Sequence, residues 1–207
     1  MVEKKKRVTR RKQKEEFDQA EARIENASAN DVSARVVTIQ GGSVHDIKKA
    51  ESVSINAGGV NSIDAKSVQV TSAGIVQANA EELTVQMGGI VHVQAESVEV
   101  TQGAIGVAQA ENVVLTQGVA NAVLATNVEM HQSATQYMIA RGSVKAEQSI
   151  VGMVASPRVE IDNSFVGFVL AREVRGNIRA MFDMRGALVF GLAAGIMMGL
   201  VARSRRR

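Results

Sequence analysis

The chain has 207 residues, a net charge of +3, 3% aromatic residues, no Trp, one Pro and no Cys. The lack of Cys excludes disulfides and thiolate metal sites and fits a reducing compartment. So few aromatics argue against an ordinary globular core, whose buried area leans on large rings.

The charge is unevenly placed. Residues 1–14 carry Lys4, Lys5, Lys6, Arg7, Arg10, Arg11, Lys12 and Lys14 against the single acid Glu3. The sequence closes on Arg203, Arg205, Arg206 and Arg207. The basic stretch has no apolar period and is predicted to be a disordered tail suited to contact with an anionic surface. It lacks the interleaved aromatics that stack on bases, which argues against nucleic acid as a partner. No apolar stretch follows it, so a secretory signal is not expected.

Phe17, Ala20, Ile24 and Ala27 lie at helical spacing. They predict a short helix over 15–28, part of a cap spanning 15–30 ahead of a repeat domain at 31–180.

Inside the repeat domain, Ala50, Ala65, Ala80, Ala95, Ala110, Ala125, Ala140 and Ala155 recur every fifteen residues. Val53, Val68, Leu83, Val98, Val113 and Val128 follow three residues after these alanines, and Ile55, Val70, Val85, Val100, Leu115 and Met130 follow five after. A further apolar column runs ten after, through Val60, Ile75, Ile90 and Ile105, and another thirteen after, through Ile63, Val93 and Val123. The position eight after is always small: Gly58, Ala73, Gly88, Gly103, Gly118, Ser133. Val128 to Val144 is sixteen, and Val144, Val159 and Val174 then resume fifteen, so one bulge or enlarged corner is expected near 133–143.

A spacing of two between paired columns, filled by β-branched residues, is the strand period. Fifteen residues are too few for a helix-pair repeat. The prediction is an all-β fold, a β-solenoid of about nine to ten 15-residue coils. Small residues at a fixed offset mark a corner where the chain turns tightly or coils approach closely.

Residues 186–202, GALVFGLAAGIMMGLVA, contain no charged side chain and are flanked by Arg179 and Arg185 on one side and the terminal arginines on the other. Seventeen residues rise about 25 Å as a helix, at the short limit for spanning a bilayer. Ala187, Gly191, Gly195 and Gly199 form a small-residue stripe of the kind that lets membrane helices pack together. A C-terminal transmembrane helix within 181–207 is therefore predicted, with the stripe serving helix self-association. The alternative, a soluble helix packed on the solenoid, would be weakened by roughly 1 kcal/mol per Gly relative to Ala.

Residue types that carry chemistry do not assemble in this pattern. His45, His92 and His131 fall at different positions of the repeat, whereas metal ligation needs convergence. Glu51, Glu81, Glu96 and Glu111 do share one column, with Lys66 between the first two, and are expected to form a solvated corner. Thr71, Thr101 and Thr116 share another, interrupted by Gln86. No phosphate loop, dinucleotide fingerprint or nucleophile–base arrangement is found, so neither enzyme activity nor a cofactor is expected.

Several coils read apolar-x-Ala-x-x-Val-x-Val, as in Ile63-Asp64-Ala65-Lys66-Ser67-Val68-Gln69-Val70. That phrasing resembles the bactofilins, polymer-forming bacterial cytoskeletal proteins. The resemblance implies a β-helix with disordered tails, end-to-end polymerisation without nucleotide, and attachment to the inner membrane. The chain differs from that family in its short coil and its C-terminal hydrophobic segment.

Together these features predict a non-enzymatic, membrane-anchored scaffold or polymer-forming structural protein, self-associating and with its solenoid facing the cytoplasm. Two other classes fit the sequence: a ligand- or glycan-binding solenoid that uses a flat face, and a membrane-active oligomer whose working part is the glycine stripe.

Overall fold

A computed structural model describes residues 19–182. They form one parallel sheet wound into a solenoid. Its elements are β1 (Gln19–Val32), β2 (Ala34–Thr101), β3 (Gly103–Thr116), β4 (Val119–His131), β5 (Ala134–Glu147) and β6 (Ile150–Phe182). Their order in the sheet is their order in sequence, and every pairing between successive elements is parallel. The length of β2 reflects ladder bonds that continue around the corners, so one element winds through several coils.

The register carries the repeat directly. Val98 pairs with Val113, Val113 with Val128, and Ala95 with Ala110. Like residue therefore stacks on like along the rod. One inward column runs through Ile39, Ile55, Val70, Val85, Val100, Leu115, Met130, Ala146 and Ile161, all buried, and marks about nine turns. At about 4.8 Å per coil this is a rod on the order of 40 Å long.

Each coil has three sides. In the coil that begins at Val98, the inward residues are Val98 and Val100, then Gly103 and Ile105, then Ala108 and Ala110, before Val113 restarts the cycle. Two inward residues flank one outward residue on each side, and two residues turn each corner. Val, Ile, Leu and Ala fill a narrow three-sided core in which an aromatic ring has no place. Each fully buried Val or Ile contributes roughly 1.5–3 kcal/mol.

The boundaries from β2/β3 to β5/β6 fall at the corner between the first and second sides. Ser72, Gln102, Gln117, Gln132, Gln148 and Asn163 stand there with φ between 50° and 58°. A side chain in this left-handed region costs roughly 1 kcal/mol. Part of that is offset because the corner N–H groups still find acceptors one coil on: Gln102 N donates to Thr116 O at 3.0 Å and Gln117 N to His131 O at 2.9 Å. The next residue inward must be small. A Cβ on Gly88 would lie 2.4 Å from Ala73 O, and one on Gly103 2.8 Å from Val100 Cγ1.

From Ser133 onward serine takes that small position. Gly118 N donates to Ser133 Oγ at 3.1 Å, Ser133 N to Ser149 Oγ at 3.2 Å, and Ser149 N to Ser164 Oγ at 2.8 Å. The hydroxyls in turn donate to backbone carbonyls, Ser149 Oγ to Glu147 O at 2.7 Å. Buried polar atoms are thus paired along the whole row.

Three expectations are corrected. The helix over 15–28 is not what the described part of that segment forms: from Gln19 onward the chain is strand β1, and residues 15–18 lie outside the described residues. Ala22, Ile24 and Ala29 pair with Val37, Ile39 and Val44 and pack against the core, so they extend the solenoid columns. As a strand, β1 covers Val37, Ile39 and Val44 with Ala22, Ile24 and Ala29, and this burial outweighs the local helical spacing. Second, Ala155 is not the eighth member of the alanine column. Ser156 is buried in that place while Ala155 is only half-buried, because the coil through β5 has sixteen residues. The extra residue sits between Ile139 and Ser143, within the stretch anticipated for it. Third, a second sixteen-residue coil was missed. Ile47 and Ile63 are buried in one column, as are Val44 and Val60, and Lys49 stands between them with φ 55°. Val37 to Val53 and Ile39 to Ile55, both sixteen, were the available signal.

Candidate functional site

The predicted self-association stripe of Ala187, Gly191, Gly195 and Gly199, the anchor that carries it, and the anionic-surface residues Lys4, Lys5, Lys6, Arg7, Arg10, Arg11, Lys12 and Lys14 all lie outside the described residues. No helix among the described residues is long and apolar enough to cross a membrane. The candidate sites within the described residues are the outward rows of the solenoid.

The three histidines are dispersed. His45 and His92 are exposed, while His131 is half-buried between two carboxylates. Its Nδ1 lies 3.2 Å from Glu147 Oε2 and its Nε2 3.1 Å from Glu129 Oε1. Lys145 Nζ joins this cluster at 2.9 Å from Glu147 Oε1 and 3.5 Å from Glu129 Oε1. The hydrogen bond from Lys145 holds the Glu147 carboxyl below its ordinary value, and the same contact holds the Lys145 ammonium above its own. The four groups stack across two coils and satisfy one another on the first side.

Glu51, Glu81, Glu96 and Glu111 stand exposed along the corner between the third and first sides. Arg35 reaches Glu51 at 3.0 Å. No three His, Asp or Glu side chains converge as metal ligands among the described residues. Along the corner between the first and second sides, glutamine amides form a ladder. Gln102 Nε2 donates to Gln117 Oε1 at 3.1 Å, Gln117 to Gln132 at 3.1 Å, and Gln132 to Gln148 at 3.0 Å. Sequence inspection singled out the threonines beside this row and missed the glutamines, whose spacing of fifteen, fifteen and sixteen is visible in the sequence.

The second side differs from everything else on the surface. Its first two coils carry Asp31 and Asp46, but across the eight that follow, from Gly58–Ser62 to Ser164–Phe168, it carries no Asp, Glu, Lys or Arg. Its outward row begins small, with Ser28, Ser43, Gly59, Gly74, Gly89 and Ala104, which floor an open groove of about 980 Å³. The row then becomes bulky: Val119, Ile150 and Phe165 are 57%, 60% and 43% exposed, with Ala134 between the first two. Beside it, at the next corner, Val76, Val91, Tyr137 and Met153 are exposed as well. An uncharged face of this extent, lined by apolar side chains, is the property of an interaction surface.

No protein-family model matches the chain, and neither a curated protein nor a solved structure is similar to it. The fold alone therefore assigns it to a class, the parallel β-solenoids.

Proposed function

We propose that the chain is a non-enzymatic structural protein, a membrane-anchored β-solenoid that scaffolds or polymerises on the cytoplasmic face of a bilayer. The observation that carries this reading is the parallel ladder that stacks coil on coil from Gln19 to Phe182. Such a ladder sets side chains in rigid rows at a spacing of about 4.8 Å, which suits extended side-by-side contact with copies of itself or with an elongated partner. The resemblance of several coils to bactofilin phrasing points the same way.

Attachment is assigned to residues 186–202, whose uncharged run is bounded by arginines. The stripe of Ala187, Gly191, Gly195 and Gly199 would pair anchors, and the basic stretch 1–14 would add attraction to anionic lipid at about 1 kcal/mol per contacting Lys or Arg. Deleting 181–207 is expected to move the protein from the carbonate-resistant membrane fraction to the soluble one. A full-length protein that carbonate already extracts would refute attachment through this segment.

A further inference from the structure

The second side carries no charged residue over the eight coils from Gly58 to Phe168, and the outward row of that stretch changes from small to bulky at its midpoint, between Ala104 and Val119. We propose that this face is a self-complementary interface that pairs two copies of the chain antiparallel, the ridge of each filling the groove of the other.

The groove glycines have no internal cause. A Cβ on Gly74 would meet nothing within 4 Å, and one on Gly59 or Gly89 only a carbonyl oxygen at 3.8 or 3.9 Å; none of the three adopts the left-handed backbone. This sets them apart from Gly88 or Gly106, where a side chain would collide with the neighbouring coil. Glycine inside a strand weakens it unless something approaches the backbone closely from outside. On the outward side of a solenoid, that something is another molecule.

The shape of the face selects the occupant. A two-fold axis lying in the face, across the rod, between the Ala104 and Val119 coils would bring Gly59 opposite the partner's Phe165 and Gly74 opposite the partner's Ile150. Every bulky residue of the row then meets a small one, and each contact occurs twice, as an isologous interface requires. The same axis sets the exposed Val76 and Val91 of the flanking corner beside Met153 and Tyr137 of the other copy, and faces one glutamine ladder toward the other as an uncharged polar rim. A parallel pairing would instead set Phe165 against Phe165 and leave both grooves empty. Five residues wide and eight coils long, the face measures about 17 Å by 38 Å. Two copies would bury roughly 1,300 Å², within the range of specific, stable interfaces.

The interface stands on side-chain rows of the solenoid and holds whether or not residues 186–202 enter a membrane. The chain has no Cys, so introduced thiols report without background. Full-length protein carrying Gly74→Cys with one epitope tag, mixed with full-length Ile150→Cys carrying another, should oxidise to the mixed disulfide at least tenfold over either like-with-like product. Like-with-like products in equal or greater yield would overturn the antiparallel arrangement. Gly74→Glu has room for its side chain within its own chain, so it should keep the wild-type circular dichroism while lysine-reactive crosslinking of the solenoid dimer is lost. Adding Ile150→Lys should restore the dimer, since residues 74 and 150 lie five coils apart within one chain and can meet only between copies. A Gly74→Glu protein that dimerises like the wild type, or a double variant that stays monomeric, would overturn the proposal.

Discussion

The two halves of the solenoid share one core and wear different exteriors. Val53, Val98, Val128 and Val159 occupy the same buried column from end to end. Outside, the halves diverge. The N-terminal coils carry Glu51, Glu81, Glu96 and Glu111 along one corner, with Lys66 between the first two, where the C-terminal coils carry Arg141 and Arg172. Between Ser67 and Ala140 there is no Lys or Arg at all. The N-terminal half builds its tight corner with Gly88 and Gly103, the C-terminal half with Ser133, Ser149 and Ser164. The inward rows answer only to the coil above and below, so they are held constant by packing. The outward rows are free to vary, and that variation records what each stretch of surface meets.

The largest effect should come from breaking the constancy of the core. Val98→Asp places a carboxylate between Leu83 and Val113 with no partner, at a cost of about 4 kcal/mol or more. Val91→Asp, at a corner where the side chain is 60% exposed, should cost less than about 0.5 kcal/mol. Urea unfolding of both variants measures the contrast. Similar midpoints would mean that the inward and outward rows are wrongly assigned.

A finer contrast lies between two glycines fourteen residues apart. Gly88→Val drives a Cβ to within 2.4 Å of the Ala73 carbonyl oxygen, a backbone atom that cannot swing away. The coils must separate locally, at about 1–3 kcal/mol. At a dilution where copies do not pair, Gly74→Val meets no atom of its own chain and replaces a flexible residue by a β-branched one, so it should leave the chain as stable or up to about 1 kcal/mol more so. Melting curves of the two variants should therefore move in opposite senses.

The serine corner gives a third test, specific to the C-terminal half. Ser149→Ala removes the acceptor for Ser133 N, leaving a buried N–H unpaired at a cost of about 1–3 kcal/mol. Ser149→Gly removes the same acceptor and adds backbone freedom, so it should be no better, even though Gly118 serves at the equivalent corner one turn before Ser133. Hydrogen exchange at Ser133 N should accelerate in both. An unchanged rate would show that the hydroxyl row does not hold this corner.

Much of this fold is legible in the sequence, because in a solenoid the long-range contact is also a fixed sequence interval. The inward columns and the corner at Gly88, Gly103 and Gly118 follow from a period of fifteen. The first coil is less legible. Ala20, Ile24 and Ala27 fit helical spacing, while Ile24 gains its place in the solenoid only from pairing with Ile39, which no local pattern announces. The second enlarged coil escaped because alanines kept a spacing of fifteen from Ala50 while the columns before it shifted by one. The interaction face is written in the sequence as an absence of charge at every fifteenth position or so. Such an absence becomes visible only when the coils are stacked and the outward residues of one side stand in a row.

The smallest expected effect concerns the ionic cluster of the C-terminal half, which joins four groups where the N-terminal corner pairs Arg35 with Glu51. Lys145, Glu147 and Glu129 lie together on the first side, each partly open to solvent. Because Lys145 holds the Glu147 carboxyl below its ordinary value of 4.5, that group favours the folded state above this value, and the contribution is lost as pH falls through the lower, folded value. Glu147 holds Lys145 above its ordinary 10.5, so the complementary contribution is present below that value and fades as pH rises through the higher, folded one. Lys145→Met keeps the apolar stem and removes the charge. Its melting temperature should fall slightly below the wild type across the window between the two values, converge with it in acid and again in strong base, and converge at any pH in high salt, which screens exposed pairs. A difference that stays constant from acid to neutral pH and ignores salt would assign the role of Lys145 to the packing of its stem.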